Sequence, residues 1–239
     1  MRPEDIITAN KCPLKPGEKF RFHCDQCGDC CRHREDILLT PFDLFRIAGH
    51  LGITPGEVVK TYCEVYVGSS SHFPVVRLLP VGEDKACPFL KDNCCSIHAS
   101  KPTVCALFPL GRAMQYGALE GDQERKLFYF LQDTNCGLRD QTHTVEEWLG
   151  EFELESSEAW FLEWTDVLGK FVTLIHQLEA MLSDKLMETI LNIVFSEVYL
   201  NYHQGMDFMG QFRGNYQKLL GVLQDIHGKC VEQVGGSRQ

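Results

Sequence analysis

A dense box of cysteines opens the first third of the chain. It reads Cys24-x-x-Cys27-x-x-Cys30-Cys31, and Gly28 lies inside it. A two-residue spacer lets consecutive thiolates turn back toward one ion or cluster, and glycine permits the tight turn that this requires. The spacing is typical of the first three cysteines of a ferredoxin-type iron–sulfur site, and it also suits one half of a zinc site.

A second group of cysteines follows between Cys87 and Cys105, and Cys136 comes later by itself. Adjacent side chains rarely converge on one small ion, so the pair Cys30-Cys31 could serve two separate centres. Counting one member of the pair Cys94-Cys95, the candidate metal ligands are Cys24, Cys27, Cys30, Cys31, Cys87, Cys95, Cys105 and Cys136. Eight thiolates are enough for two four-thiolate centres. On spacing alone, Cys136 could equally be a buried apolar cysteine.

Soft thiolates select zinc, copper(I) or iron–sulfur and disfavour magnesium and calcium. The ferredoxin-like spacing favours an iron–sulfur cluster, as does the dipeptide Cys87-Pro88, because cysteine followed by proline recurs at cluster sites. Zinc is the alternative, and it would make the same residues a structural knot. The remaining isolated residues are expected to be ordinary thiols; these are Cys12, Cys63 and Cys230.

Composition restricts the classes of function. The chain has 239 residues and a net charge of -10, which argues against general nucleic-acid binding because an acidic chain repels phosphates. Residues 1–19 hold no apolar stretch long enough for a signal peptide, and no segment reaches the length of a membrane helix. We therefore expect a cytoplasmic protein without structural disulfides, and neither nucleic acid nor membrane as a partner.

Local signals predict the elements that must position the cysteines. Thr40-Pro41 and the capping box that begins at Thr54 predict two short helices, the second through about Cys63. A strand is expected at 75–79, a turn at 82–85, and a second hairpin between 108–116 and 127–131. A further capping box begins at Thr144, and helical periodicity then predicts helices over 157–182, 183–202 and 207–226.

These elements predict an α+β fold that is mainly α. An irregular cysteine-rich metal-binding region with short β-hairpins is expected at 20–140, and a C-terminal helical lobe packed on it at 141–230. Residues 1–19 would be an N-terminal extension and residues 231–239 a disordered tail.

The cysteine segments resemble those of the YkgJ-like cysteine-cluster family, which is described as zinc- or iron-chelating. The family pattern combines a CxxCxxCC box, a helical pair, a CPFL segment and a C-x-I-[HY]-x-x-[KR]-P-x-x-C-x-x-[FY]-P segment, which stand here at 24–31, 40–63, 87–90 and 95–109. The resemblance covers about residues 20–225. It implies that Cys95 rather than Cys94 is the ligand and that Cys136 is one as well. His98 falls where the family also accepts tyrosine, so it is not expected to be a ligand.

Three functions follow as hypotheses. The first is a metal-binding protein, and the second is an iron–sulfur-dependent enzyme with redox or methyltransferase activity. The enzyme hypothesis arises because flagellin lysine-N-methylase is similar in its cysteine pattern, although the chain has no G-x-G-x-x-G loop and no radical-SAM box. Arg112 would be a candidate for holding an anion near the metal. The third is a zinc-stabilised interaction module whose helical lobe binds a protein partner.

Overall fold

The computed structural model describes residues 13–15, 17–116, 125–134, 136–152, 154 and 157–236. Its strands are, in chain order, β1 (Phe20–His23), β2 (Leu38–Leu39), β3 (Cys63–Val67), β4 (Pro74–Leu78), β5 (Leu90–Lys91), β6 (Cys94–Cys95), β7 (Leu110–Tyr116), β8 (Arg125–Leu131) and β9 (Leu138–His143). Its α-helices are α1 (Pro41–Leu51), α2 (Pro55–Tyr62), α3 (Thr103–Leu107), α4 (Val145–Glu151), α5 (Ser157–Glu179), α6 (Asp184–Phe195) and α7 (Phe208–Gly236). The predicted α+β class with mainly helical content is confirmed.

The chain divides into two units that are each discontinuous in sequence. The first unit consists of Met1–Arg34 with Val81–Trp160, and the second of Glu35–Pro80 with Phe161–Gln239. The cysteine candidates all fall in the first unit, whereas Cys63 and Cys230 fall in the second. Cys12 lies outside the described residues.

The first unit is built on two long antiparallel strand pairs, a two-residue pair of β5 with β6, and a small aromatic core. Strand β1 pairs with β9, and β7 pairs with β8 from Leu110 opposite Leu131 onward. This second pair confirms the predicted hairpin, although its turn at 117–124 lies outside the described residues. The indole of Trp148 on α4 packs edge-on against Phe20 and Phe22 and donates a 3.1 Å hydrogen bond to the Leu107 carbonyl. The core thereby connects β1, α3 and α4.

The second unit joins the two capped helices to the long helices. Thr40 and Thr54 accept hydrogen bonds from the backbone N–H groups of Asp43 and Glu57, so both predicted caps are confirmed. Strands β2, β4 and β3 form one antiparallel sheet, next to which Phe73 is buried against the rings of Trp164 and Phe171. No described helix combines the length and the apolar character that crossing a membrane requires.

The long helices differ from the prediction mainly at their ends. Helix α7 continues to Gly236, well past the predicted end near residue 226, because Gly228 does not end it and no proline precedes Gly235-Gly236. Helix α6 ends at Phe195, and its predicted continuation is a π-helical turn over Ser196–Leu200. Both differences concern boundaries, which local sequence signals specify least well.

Candidate metal centre

The first cysteine box folds as a tight loop directly after β1. Gly28 is buried, has a φ of 76°, and precedes a 3₁₀ turn over Asp29–Cys31. Only glycine adopts this left-handed conformation without strain, as the sequence predicted. The turn brings the Sγ atoms of Cys30 and Cys31 to 3.9 Å from each other.

The second box begins with a two-residue hairpin that sequence inspection missed. Strands β5 and β6 pair Leu90 with Cys95, and the intervening Asp92 and Asn93 have φ values of 49° and 61°. Two central residues at positive φ define a type I′ turn, so the dipeptide Asp92-Asn93 was the available signal. Because side chains alternate along a strand, Cys94 and Cys95 point to opposite faces. Cys94 is exposed, whereas Cys95 is partly buried.

Two polar contacts hold the boxes against each other. The Cys87 N–H donates a 2.7 Å hydrogen bond to the Cys31 carbonyl. The Arg32 guanidinium donates to the Cys27 carbonyl at 3.2 Å and to the Asn93 side-chain oxygen at 2.5 Å. The backbones of the two segments are therefore fixed relative to each other by the protein itself.

Secondary structure also brings Cys136 to the first box. Strand β1 ends immediately before Cys24, and β9 begins shortly after Cys136, with His23 paired to Leu138. Because the two strands are antiparallel, these two cysteines lie at the same end of the pair. Gly137, which joins Cys136 to β9, has a φ of 75°, and a Cβ there would lie 2.3 Å from the Phe22 ring.

The eight predicted cysteines line two cavities that share part of their walls. The first, about 140 Å³, is lined by Cys24, Cys30, Cys31, Cys87, Cys94, Cys95 and Cys105. The second, about 250 Å³, is lined by Cys24, Cys27, Cys30, Cys105 and Cys136. A water molecule needs roughly 10–15 Å³ by the same measure, so each cavity has room for a group of several atoms.

The thiols lie further apart than a single ion requires. In the described part of the chain, no three cysteine sulfurs lie within 4.8 Å of one another. Zinc–sulfur bonds of about 2.3 Å put the thiolates of a tetrahedral zinc site about 3.8 Å apart, so zinc would require these side chains to close in. In a four-iron cluster each thiolate binds a different iron, which holds the sulfurs further apart. The donor set fits both, and the spacing fits the cluster with less movement.

Comparison with known proteins decides the family of this region. Residues 23–137 match the CxxCxxCC family, whose description is "Putative zinc- or iron-chelating domain". This region is a CxxCxxCC domain. Its bounds include every cysteine that lines the two cavities.

A curated relative and the solved structures complete the comparison. Uncharacterized protein MJ0661 of Methanocaldococcus jannaschii is 34% identical over 100 residues, which is 41% of this chain and 50% of that protein. The chain thus spans about half the length of this relative. No solved structure matches the chain.

Several thiols of the CxxCxxCC domain hold their protons more strongly than an ordinary cysteine does. Burial raises the pKa of Cys87, Cys95 and Cys105, and a hydrogen bond to Cys31 together with burial raises that of Cys30. A metal that binds thiolate must therefore displace protons.

Two basic side chains offset the negative charge of the cysteine thiolates. Neither was selected from the sequence. Arg34 lines the first cavity and Lys101 lines both, and the positive charge of each opposes the rise in the pKa of Cys30 and Cys105. The Lys101 ammonium also lies 3.8 Å from the centroid of the Phe152 ring. The available signal for Lys101 was its place in the Lys-Pro segment before Cys105.

His98 and Arg112 were also considered from the sequence, and the structure places them differently with respect to the cavities. His98 is exposed but lines both cavities of the CxxCxxCC domain. Arg112 lies on β7 in register with Tyr129 and interacts with its hydroxyl. Within the described residues Arg112 lines neither cavity, so the structure gives no support to its suggested role in anion binding.

Proposed function

We propose that the CxxCxxCC domain binds iron–sulfur through cysteine thiolates, with zinc as the alternative occupant. The ligands of this proposal are Cys24, Cys27, Cys30, Cys31, Cys87, Cys95, Cys105 and Cys136. The observation that carries it is that these residues, scattered over 24–136, all line two cavities with common walls. Unrelated buried thiols would have no reason to converge in this way.

Several features favour a cluster over a single zinc ion. No three cysteine sulfurs of the described residues have the close spacing of a zinc tetrahedron, and both cavities have room for a group of several atoms. Lys101 and Arg34 supply positive charge beside a centre that carries several thiolates, which lowers the electrostatic cost of assembling it.

The distribution of ligands supports two centres rather than one. Three of the eight proposed ligands line only the first cavity, namely Cys31, Cys87 and Cys95. Cys27 and Cys136 line only the second. The other three candidates, which are Cys24, Cys30 and Cys105, line both and can be divided between them. The adjacent Cys30 and Cys31 would then serve different centres.

Anaerobic purification followed by iron, acid-labile sulfide and zinc analysis tests this proposal. We expect a brown protein that contains iron and sulfide in similar amounts. A colourless protein with stoichiometric zinc would refute the cluster and retain chelation by the thiolates. A protein that binds neither metal would refute chelation itself.

A redox enzyme is the second candidate function. Cys24 and Cys94 are exposed at the first cavity, so small molecules can reach its thiols from solvent. The cysteine pattern similar to that of flagellin lysine-N-methylase makes methyl transfer the other reaction to test. Reversible reduction of the reconstituted protein would support the redox hypothesis, whereas a centre inert to reductants would favour a structural or protein-binding role.

The same proposal places the protein in the cytoplasm. Thiols that must remain reduced until they bind metal suit a compartment kept reducing by glutathione and thioredoxin. Fractionation of cells that produce the native protein tests the assignment, and recovery with a membrane or secreted fraction would contradict it.

A further inference from the structure

A second group of metal-ligating side chains lies in the other unit and contains no cysteine. His72 follows the turn at 68–71, and His176 and Glu179 lie one turn apart on α5. One ligand atom from each of these three residues lies within 4.8 Å of the other two. In the described residues, this is the one group of three or more metal-ligating side chains that meets this distance.

The contacts converge on a single carboxylate oxygen. Glu179 Oε2 lies 2.7 Å from His72 Nδ1 and 3.5 Å from His176 Nδ1. The two imidazole rings lie 4.5 Å apart between centroids. With metal–ligand bonds of about 2.1 Å, the ligand atoms of a tetrahedral site lie about 3.4 Å apart. His176 Nδ1 and Glu179 Oε2 already have that separation, and His72 Nδ1, at 2.7 Å, would have to move away from the same oxygen.

The scaffold beneath the group is rigid. Ile175 directly precedes His176 on α5, Leu178 directly precedes Glu179, and both are fully buried. Phe73, the neighbour of His72, is buried against Phe171 on the same helix. The ligands are thus attached to core residues that hold the loop and the helix together, as a preformed site requires.

The side chains themselves remain reachable. Exposed fractions are 40% for His72, 43% for His176 and 29% for Glu179, so an ion can enter without unfolding the protein. Two imidazoles and a carboxylate suit first-row divalent metals, and three protein ligands leave coordination positions open to solvent. A hydrogen bond between His72 and Glu179 alone would not explain why His176 also faces the same oxygen.

We propose that His72, His176 and Glu179 form a nitrogen- and oxygen-ligated site for a divalent transition metal, separate in its chemistry from the thiolate centre. The proposal does not rest on what the cysteines bind, because it involves none of them. It predicts an exchangeable metal in addition to whatever the cysteines bind.

Cobalt(II) titration of the full chain, with its cysteine centre loaded as purified, tests this site. We expect one equivalent to bind with weak d–d absorption and without the intense sulfur-to-metal charge-transfer bands that thiolate ligation produces. The paired variant His72→Gln/His176→Gln should bind this equivalent at least tenfold more weakly. His50→Gln, which changes an exposed histidine at the end of α1, is the matched control and should bind like the parent.

Further variants keep the result interpretable. Glu179→Gln retains a side chain that can hydrogen-bond to His72 but removes the anionic ligand, so it should also lose at least tenfold in affinity. Circular dichroism checks that each variant is folded. If the paired variant does not fold, the single variants His72→Gln and His176→Gln are tested instead. Equal affinity in the parent and the folded variants, or a bound cobalt with sulfur charge transfer only, would overturn the site. The titration uses protein with a loaded thiolate centre because free thiolates would themselves bind cobalt.

Discussion

At the scale of single residues, Cys94 and Cys95 offer the sharpest comparison in the proposed centre. They are adjacent on β6, yet only Cys95 is partly buried, and the thiolate charge of Cys95 interacts with that of Cys87. We expect Cys95→Ser to lower the metal bound per chain by at least half, and Cys94→Ser to leave it unchanged. Metal analysis of both variants, purified side by side under anaerobic conditions, measures the difference. The reverse result would show that Cys94 is the ligand. If neither variant loses metal, this hairpin contributes no ligand to the centre.

Cys63 is a partly buried thiol that has no place in the proposed centre. Burial raises its pKa from 9.0 to about 12, and it lies on β3 in register with Leu78. Above pH 9 the unfolded chain ionises this thiol while the folded protein keeps it protonated, so the free energy of unfolding falls as the pH rises toward 12. We expect Cys63→Ala to show a shallower fall than the parent.

Urea titrations at about pH 8 and about pH 11 measure that slope, which separates the ionisation from any loss of packing. Cys230→Ala is the control, because Cys230 is also a thiol of the second unit and has no place in the centre. Equal slopes for the parent and Cys63→Ala would show that burial of Cys63 does not govern its ionisation.

At the scale of elements, the pairing of β1 with β9 depends on Gly137. Its φ of 75° is strained for any other residue, and an added Cβ would lie 2.3 Å from Phe22 and 2.9 Å from the His23 carbonyl oxygen. The left-handed conformation alone costs about 1–2 kcal/mol for alanine. We expect Gly137→Ala to destabilise the protein by more than this and to lower metal binding through Cys136.

Gly82→Ala separates the two contributions. Gly82 has nearly the same φ, 72°, but nothing lies within 4 Å of the Cβ that alanine would add. Thermal unfolding of both variants should therefore show the larger loss for Gly137→Ala. Equal losses would mean that the crowding against Phe22 is relieved at no cost.

At the scale of the whole molecule, metal binding should stabilise the two units unequally. A ligand that binds only the folded state stabilises it in proportion to the logarithm of its concentration over its dissociation constant. We expect removal of the thiolate-bound metal to raise amide exchange over 17–34, 81–116 and 136–152, where the boxes and their supporting strands lie. Helices α6 and α7, which contain no predicted thiolate ligand, should keep their protection.

Hydrogen exchange with mass spectrometry measures this difference before and after treatment with a chelator that removes the metal without modifying the cysteines. Replacing both Cys27 and Cys105 with serine should give the pattern of the chelated protein without any chelator. Uniform loss of protection along the chain would contradict a local role for the metal.

Local signals in the sequence were sufficient for some parts of the molecule and insufficient for others. Thr40, Thr54 and Thr144 each predicted a helix start, because a capping box involves only four consecutive residues. The partnership of β1 with β9 was not predictable in the same way, since it joins Phe20 to His143 across most of the first unit. The ligand set was inferred from spacing and from the family resemblance, while the place of Arg34 beside the first cavity required knowledge of the fold.

The discontinuity of the first unit has a consequence for the biosynthesis of this protein. The ribosome completes the first cysteine box, then makes the whole of Glu35–Pro80, and reaches Cys136 only afterwards. At about 5–20 residues per second, the nascent chain carries the thiols of the first box for roughly 5–20 seconds before the last proposed ligand exists. During that interval they are open to oxidation or to the wrong ion, so delivery of the correct metal to the centre that includes Cys136 must come late in translation or after release.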